Sequence, residues 1–223
     1  VIAQLARSAA GRGYSERAQV GALVSAAGCV ALPLAAGGVA VGPALVVRLF
    51  GEAFAPAGPA FAVLVCAVAV AATTSSLSSC LVARGDAGRL LACIGTGAVV
   101  TLSLSIGLGG RWGAEGAAWA LLAGETVAAA ALAVAVVGRV GRLPLQVRRL
   151  LACAGASAVM FACLRLVFAG LDPLLQIPVG VALFAPVAVL LGAVRPAELR
   201  ALWSAGVRRV RRVPSPSPGQ GDA

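Results

Sequence analysis

Three polar features interrupt long apolar stretches of this sequence, and each has residue types that can do chemistry. The first is Glu125, which lies inside "WALLAGETVAAAALAVAVVG" at residues 119–138. A carboxylate at mid-membrane depth costs about 2.5 to 3.5 kcal/mol, so we predict that Glu125 faces the interior of a helix bundle. There it would bind a cation, a proton or a polar substrate group, or else serve as a protonated or hydrogen-bonded structural acid.

The second feature is the hydroxyl-rich run "TTSSLSS" at residues 73–79. Side chains four residues apart share a face of an α-helix, as Thr74 and Ser78 would. Such hydroxyls either line a hydrophilic pathway or hydrogen-bond to a neighbouring helix, which is worth about 0.6 kcal/mol per bond. Our pathway candidates from this run are Thr73, Thr74, Ser75 and Ser78, and a later stretch adds the hydroxyls of Thr96, Thr101, Ser103 and Ser105.

The third feature is Arg165, near the outer end of a predicted membrane span. An arginine at that depth either snorkels to the membrane surface, here beside Asp172, or faces the interior and binds a phosphate group. We include Arg165 with Glu125 among the candidate pathway residues.

The elements that must position these side chains are membrane-spanning helices. The chain has 223 residues, of which 60% are hydrophobic and 12% charged. Soluble domains are about 25% charged, whereas about 20 consecutive apolar residues cross a bilayer as an α-helix. We expect kinks at Pro33, Pro178 and Pro186, with neighbouring helices satisfying the carbonyls that these prolines free. The prediction is an all-α integral membrane protein, a bundle of six transmembrane helices at residues 20–42, 60–83, 90–109, 114–138, 150–169 and 174–194.

The distribution of arginine predicts the orientation of these helices. The net charge is +10, and all 18 basic residues are arginines. Only Arg48, Arg111 and Arg165 fall on one side, and the other fifteen lie in alternate loops and in the two terminal segments, 1–19 and 195–223. Because cytoplasmic segments collect positive charge, we predict that both termini are cytoplasmic. Short arginine clusters between apolar spans also argue against a nucleic-acid partner.

The C-terminal tail, residues 195–223, has two parts. "RPAELRALWSAGVRRVRRV" fits a basic helix at the membrane surface, with Trp203 at headgroup level, or a plain orientation signal. The last residues, "PSPSPGQGDA", have a composition typical of disorder.

The residue types that most enzymes and metal centres need are missing or badly spaced. The sequence has no histidine, and its six cysteines fall inside the apolar spans without a CxxC pair. It has no nucleophile beside a base and no glycine-rich phosphate loop followed by lysine. We therefore expect neither an enzyme nor a bound cofactor or metal.

Three local stretches, taken in order, resemble a known family. "GPALVVRLFGEAFAPAGPAFAVL" at 42–64 is similar to the outer connection of bacterial polysaccharide flippases of the O-antigen type, with matching positions at Leu49, Phe50, Gly51, Phe54 and Ala57. "LVARGDAGRLL" at 81–91 is similar to a short cytoplasmic turn of that family. "RWGAEGAAWA" at 111–120 resembles a further turn, in which small residues let a helix begin close to its neighbours. Its matching residues are Gly113, Ala114, Gly116, Ala117, Ala118 and Ala120.

This resemblance implies membership of the multidrug/oligosaccharidyl-lipid/polysaccharide exporter superfamily, whose members have two six-helix lobes around a central cavity. The chain resembles the C-terminal lobe over roughly residues 1–195, so we expect it to be part of a larger protein and to need an N-terminal lobe or a second copy. The implied function is transfer of an undecaprenyl-diphosphate-linked oligosaccharide between leaflets of the bacterial plasma membrane by alternating access. The lipid bilayer and this lipid-linked oligosaccharide are the implied partners.

Other interpretations of the same pattern stay open. A multidrug/cation antiporter or a lipid II flippase of the same superfamily would have the same fold and topology. A non-transporting membrane subunit or a truncated remnant would keep the helices without the transport. A membrane glycosyltransferase fits less well, because it needs sizeable outer loops, and the longest outer connection here is about 17 residues.

Overall fold

The computed structural model describes residues 16–140, 146–168 and 170–191, and every regular element in these ranges is helical. This confirms the predicted all-α class for the part of the chain described. Most of the predicted N-terminal segment and the basic tail lie outside these residues. The elements are α1 (Glu16–Phe50), a 3₁₀ helix (Glu52–Ala57), α2 (Gly58–Ala83), α3 (Ala87–Val140), α4 (Val147–Leu166) and α5 (Pro173–Leu190).

Five helices, α1 to α5, are long and apolar enough to cross a membrane. A helix needs about 20 apolar residues to span the hydrocarbon core, and each of these helices has 18 or more. The chain thus has the helices of a multi-pass membrane protein, in agreement with the composition.

The longest helix, α3, is folded back on itself at Gly113. A straight helix of its 54 residues would be about 80 Å long and would hold residues 97 and 124 about 40 Å apart. Instead, a Cβ added to Gly97 would stand 2.7 Å from the carbonyl oxygen of Gly124, and Gly116 lies against the backbone of Leu108. α3 therefore consists of a first arm, residues 87–112, and a second arm, residues 114–140, which run antiparallel.

The turn between the arms requires glycine. Gly113 has φ 57° and ψ −133°, outside the helical region and close to the first central position of a type II′ turn. A side chain at this positive φ would be strained. The small residues of "RWGAEGAAWA" therefore have the predicted role of letting a helix begin against its neighbour, with Gly116 closest to the other arm.

α1 lies at the centre of the helix arrangement. It packs against α2 where Gly38 meets Val65, and against α4 where Cys29 shares a buried cluster with Cys153. Gly38 and Cys29 are nine residues apart, which is about two and a half turns, so α2 and α4 occupy opposite sides of α1. α5 packs against α4 and α1, and α3 packs against α2.

α1 continues beyond its predicted end at residue 42 to Phe50, although Pro43 interrupts the hydrogen-bond ladder. Two neighbours accommodate this proline. Gly58, at the start of α2, leaves room for it, since a Cβ there would stand 3.0 Å from Pro43. The carbonyl of Val39, which loses the amide of residue 43 as its donor, accepts a hydrogen bond from Arg165 instead. The predicted rescue of a freed carbonyl by a neighbouring helix thus occurs, at a proline that the sequence analysis did not single out.

Candidate substrate pathway

Glu125 lies on the packed side of the second arm. Ala118 and Leu132, seven residues before and after it, are 2% and 0% exposed. Residues seven apart share one face of an α-helix, so Glu125 is aligned with both and is itself partly buried. Leu132 belongs to a buried cluster with Leu77 and Leu81 of α2, which means that this face of the arm is turned toward α2.

Thr74 occupies the corresponding position on α2. It lies midway between Ala67 and Leu81, which are both buried, and Leu81 packs in the same cluster as Leu132. α2 and the second arm run in the same direction, because each is antiparallel to the first arm between them in sequence. Thr74 is seven residues before Leu81, and Glu125 is seven before Leu132. Because both leucines belong to this cluster, Thr74 and Glu125 lie at about the same level along the two helices.

The hydroxyls of the run at 73–79 bond within their own helix. Thr73 Oγ1 donates to the carbonyl of Val70 at 2.6 Å. Thr74 Oγ1 donates to the same carbonyl at the longer distance of 3.3 Å. The remaining hydroxyls each donate to the carbonyl four residues earlier, namely those of Ser75, Ser76, Ser78 and Ser79. These hydroxyls therefore donate within α2 and not to a neighbouring helix. Thr74 has the longest bond, beyond the usual range for O–H···O, and keeps the most capacity for another partner.

Ser75 and Ser79 point away from Glu125. Ser75 lies seven residues after Val68 and seven before Val82, and all three are exposed. This stripe of α2 faces neither α1 nor α3. The four candidates from the run thus do not form one group, because Thr74 and Ser75 lie on different faces of the helix.

The first arm brings a further hydroxyl to the level of Glu125. Thr101 Oγ1 lies so close to Gly124 that a Cβ there would overlap it. We call Glu125, Thr74 and Thr101 the Glu125 site. Among the described residues, Glu125 has no hydrogen-bond or ion-pair partner, so its carboxylate is available to a ligand.

Arg165 lies away from this site, on the α4 side of α1. Its Nη2 donates to the Val39 carbonyl at 3.2 Å, and its guanidinium carbon is 5.9 Å from the Phe161 ring centroid. The predicted pairing with Asp172 is wrong, because Asp172 Oδ2 accepts a hydrogen bond from Arg48 Nε at 3.1 Å. Arg165 is exposed and bound to a neutral acceptor, which leaves it able to exchange that partner for an anion.

Asp172 has two roles at the start of α5. Its Oδ1 accepts a hydrogen bond from the Leu174 amide at 3.0 Å and caps the helix, while Oδ2 pairs with Arg48. The Leu174 amide first, and then the Arg48 guanidinium, hold the pKa of this carboxyl below its ordinary value of 3.8. The end of α1 and the start of α5 are thereby linked.

Sequence reasoning missed two buried polar side chains that bond outside their own helices. Ser25 Oγ donates to the Gly21 carbonyl at 2.7 Å and accepts from the Gln146 amide at 3.2 Å, so it ties α1 to the start of α4. Gln176 Nε2 donates to the carbonyls of Phe168 and Leu171, at 2.8 and 3.0 Å, and holds the loop before α5. The sequence does mark Gln176, because it is the one polar residue in the apolar stretch 173–190.

Comparisons with models of protein families, with curated proteins and with solved structures found no match. In the described ranges, no group of three or more histidine, cysteine, aspartate or glutamate side chains is placed to hold a metal ion. The chemistry that the arrangement offers is that of one unpartnered carboxylate within a helix bundle, with the hydroxyls of Thr74 and Thr101 at about the same level on the neighbouring helices.

Proposed function

We propose that this chain is one lobe of a transporter that moves an undecaprenyl-diphosphate-linked oligosaccharide from the inner to the outer leaflet of the bacterial plasma membrane. The observation that carries the proposal is the Glu125 site, an unpartnered carboxylate on the packed side of a membrane helix. Ionisable residues at such positions mark substrate and ion pathways more often than structural contacts. The resemblance of the three sequence stretches to polysaccharide flippases supplies the substrate class.

The fold-back of α3 supports six membrane crossings. Its two arms are antiparallel and separately long enough to span the hydrocarbon core, at about 1.5 Å per residue. If the two arms are counted as separate crossings, the five apolar helices make six crossings of the membrane. Both termini then lie on the same side. That side carries most of the arginines, which supports a cytoplasmic location for both termini.

In this mechanism Glu125 binds the coupling proton or cation. Protonation or cation binding removes the cost of a charge in a low-dielectric setting, so occupancy of the site favours a different packing of α2 against the second arm. Thr74 and Thr101 would supply neutral oxygen ligands. The lobe would rock against its partner lobe as this occupancy changes.

Arg165 and the exposed serines would meet the substrate. The diphosphate needs cationic or hydrogen-bonding groups to leave water, and a guanidinium binds phosphate through charge-assisted bonds. Arg165 would exchange the Val39 carbonyl for a phosphate oxygen. The stripe with Ser75 and Ser79 would face the cavity once an N-terminal lobe or a second copy covers it.

Deletion and complementation in the native host test this function. Loss of the gene should reduce surface polysaccharide and leave lipid-linked precursor at the inner leaflet. Glu125→Gln should fail to restore export, whereas Glu115→Gln, an exposed acid in the same arm, should restore it. Full export by Glu125→Gln at equal protein levels would assign Glu125 a structural role.

A multidrug/cation antiporter is a second candidate, because a carboxylate that binds a proton or cation suits it equally well. Drug sensitivity separates the two functions. Under our proposal, deletion leaves the sensitivity of cells to cationic drugs unchanged. Increased sensitivity with normal surface polysaccharide would favour the antiporter.

A further inference from the structure

A cleft of about 410 Å³ is lined by residues of both arms of α3, near the ends of the arms that lie away from Gly113. Nearer the turn, Gly97 and Gly124 hold the arms in contact. Beyond that contact the facing residues are mostly small and do not fill the space. The lining consists of Arg89, Ala92, Cys93, Val134, Ala135 and Gly138.

Gly138 is an exposed residue of the lining and adds no side chain to the cleft. A Cβ added to it would have no heavy atom within 4 Å, whereas one on Gly97 would meet both Ala128 and Gly124. In a bilayer, such an apolar slot is filled by hydrocarbon, because water would gain no polar partners on its walls.

Arg89 places a positive charge at the mouth of the cleft. It is exposed, lies in the first turn of α3, and makes no ion pair with any described residue. Cys93 follows one turn deeper, at about 6 Å along the helix. The cleft thus has a cation at one end and apolar walls behind it, which matches the phosphate and the acyl chain of a lipid.

We propose that this cleft is a binding site for an anionic phospholipid of the leaflet on the arginine-rich side. The phosphate pairs with the Arg89 guanidinium, and one acyl chain lies between the arms against Ala92 and Ala135. Net charge favours an anionic over a zwitterionic headgroup, since the chain carries +10 and most of its arginines are predicted on this side. The site is separate from the Glu125 site, and it requires only that the chain spans a membrane.

Fluorescence quenching of a probe beside the cleft tests the site. The full chain, with its six cysteines changed to alanine and bimane attached to an introduced Val137→Cys, is placed in micelles with brominated phosphatidylglycerol or brominated phosphatidylcholine. Val137 is exposed and is not part of the lining, so the probe leaves the cleft open. We expect phosphatidylglycerol to quench at about fivefold lower concentration. Arg89→Gln should remove this preference, and Arg111→Gln, at the opposite end of the hairpin, should keep it.

Three outcomes would overturn the proposal. They are equal quenching by the two lipids, a preference that Arg89→Gln leaves intact, and a preference that Arg111→Gln abolishes to the same degree. Millimolar inorganic phosphate should not displace the lipid, and displacement would mean a free-anion site instead.

A second measurement covers the case in which the single-cysteine chain does not fold. Native mass spectrometry of the unmodified chain should retain phosphatidylglycerol, and Gly138→Leu should lower that retention severalfold by filling the slot. Circular dichroism should first establish that Gly138→Leu is folded. Unchanged retention by folded Gly138→Leu would contradict an acyl chain between the arms.

Discussion

The two sides of α1 are held together in different ways. On the α2 side, the two arms of α3 form a hairpin that packs against α2. The arms meet through Gly97, Gly116 and Gly124, which lie directly against the backbone or Thr101 of the other arm. On the side of α4 and α5, polar bonds between distant elements connect the helices, as between Ser25 and Gln146.

This difference implies different sensitivities. Contacts between backbones are governed by volume, because a packed interior has no room for an added methylene. Polar ties are governed by the presence of a donor or charge, and each is worth less. We therefore expect the hairpin formed by the two arms of α3 to be sensitive to changes of size but not of charge. The α4–α5 side also buries apolar clusters against α1, so there we expect sensitivity to the loss of a polar tie in addition to changes of size.

The largest expected effect is at Gly124. Gly124→Leu should lower the free energy of unfolding by about 3 kcal/mol, because its side chain would overlap Thr101 and the Gly97 backbone. Gly95→Leu is the matched control, since a Cβ there meets nothing within 4 Å, and it should cost nothing. Denaturant titration in micelles, followed by circular dichroism, measures both. Equal losses would show that the arms are not closely packed.

Among the polar ties on the α4–α5 side, the one made by Gln176 should have the largest effect on stability. Gln176→Leu leaves the carbonyls of Phe168 and Leu171 without this donor, which should cost about 2 kcal/mol in the same titration. Gln146→Leu is the control, because its exposed side chain accepts only a 3.3 Å bond from Arg149, and it should change stability by less than about 0.5 kcal/mol. A smaller loss at Gln176 than at Gln146 would contradict a structural role for the buried amide.

The sequence predicts the hairpin side well because its signals are local. The small residues around Gly113 lie next to one another in the chain, and the turn follows from positive φ at a single glycine. The helical class and the approximate spans also follow from runs of apolar residues. These features need no knowledge of which helices become neighbours.

The polar contacts on the α4–α5 side, and the grouping of residues in the Glu125 site, could not be predicted from local signals. Glu125, Thr74 and Thr101 were identified one by one, but their common level depends on the register between α2 and the arms of α3. The pairing of Arg48 with Asp172 joins residues 124 positions apart. Pro43 signals a freed carbonyl at Val39, yet only the packing of α4 on α1 provides Arg165 as its donor.

A mutant cycle tests that last contact and should give a coupling of about 1 kcal/mol. Arg165→Met removes the donor to Val39 while keeping a long side chain. In the Pro43→Ala background, residue 43 regains an amide that can donate to the Val39 carbonyl. Arg165→Met should therefore lower the free energy of unfolding less in that background. Unfolding of the four proteins in micelles measures the coupling. Additive losses would mean that Arg165 does not compensate for the proline.

The smallest effect is expected from acid at Asp172. It tests whether the link between the end of α1 and the start of α5 depends on charge. Since pairing with Leu174 and Arg48 lowers the pKa of this carboxyl, its stabilisation is complete above 3.8 and is lost as the pH falls through the lower pKa of the folded chain. Asp172→Asn keeps an acceptor for the Leu174 amide but loses the charge, so the Tm of the wild type should exceed that of the variant at neutral pH and converge with it in acid. The gap should be small and should shrink in high salt, because both partners are exposed. A gap that persists in salt, or at pH values below the pKa of the folded chain, would assign the contribution of Asp172 to its hydrogen bonds alone. The α4–α5 side would then resemble the hairpin in its indifference to charge.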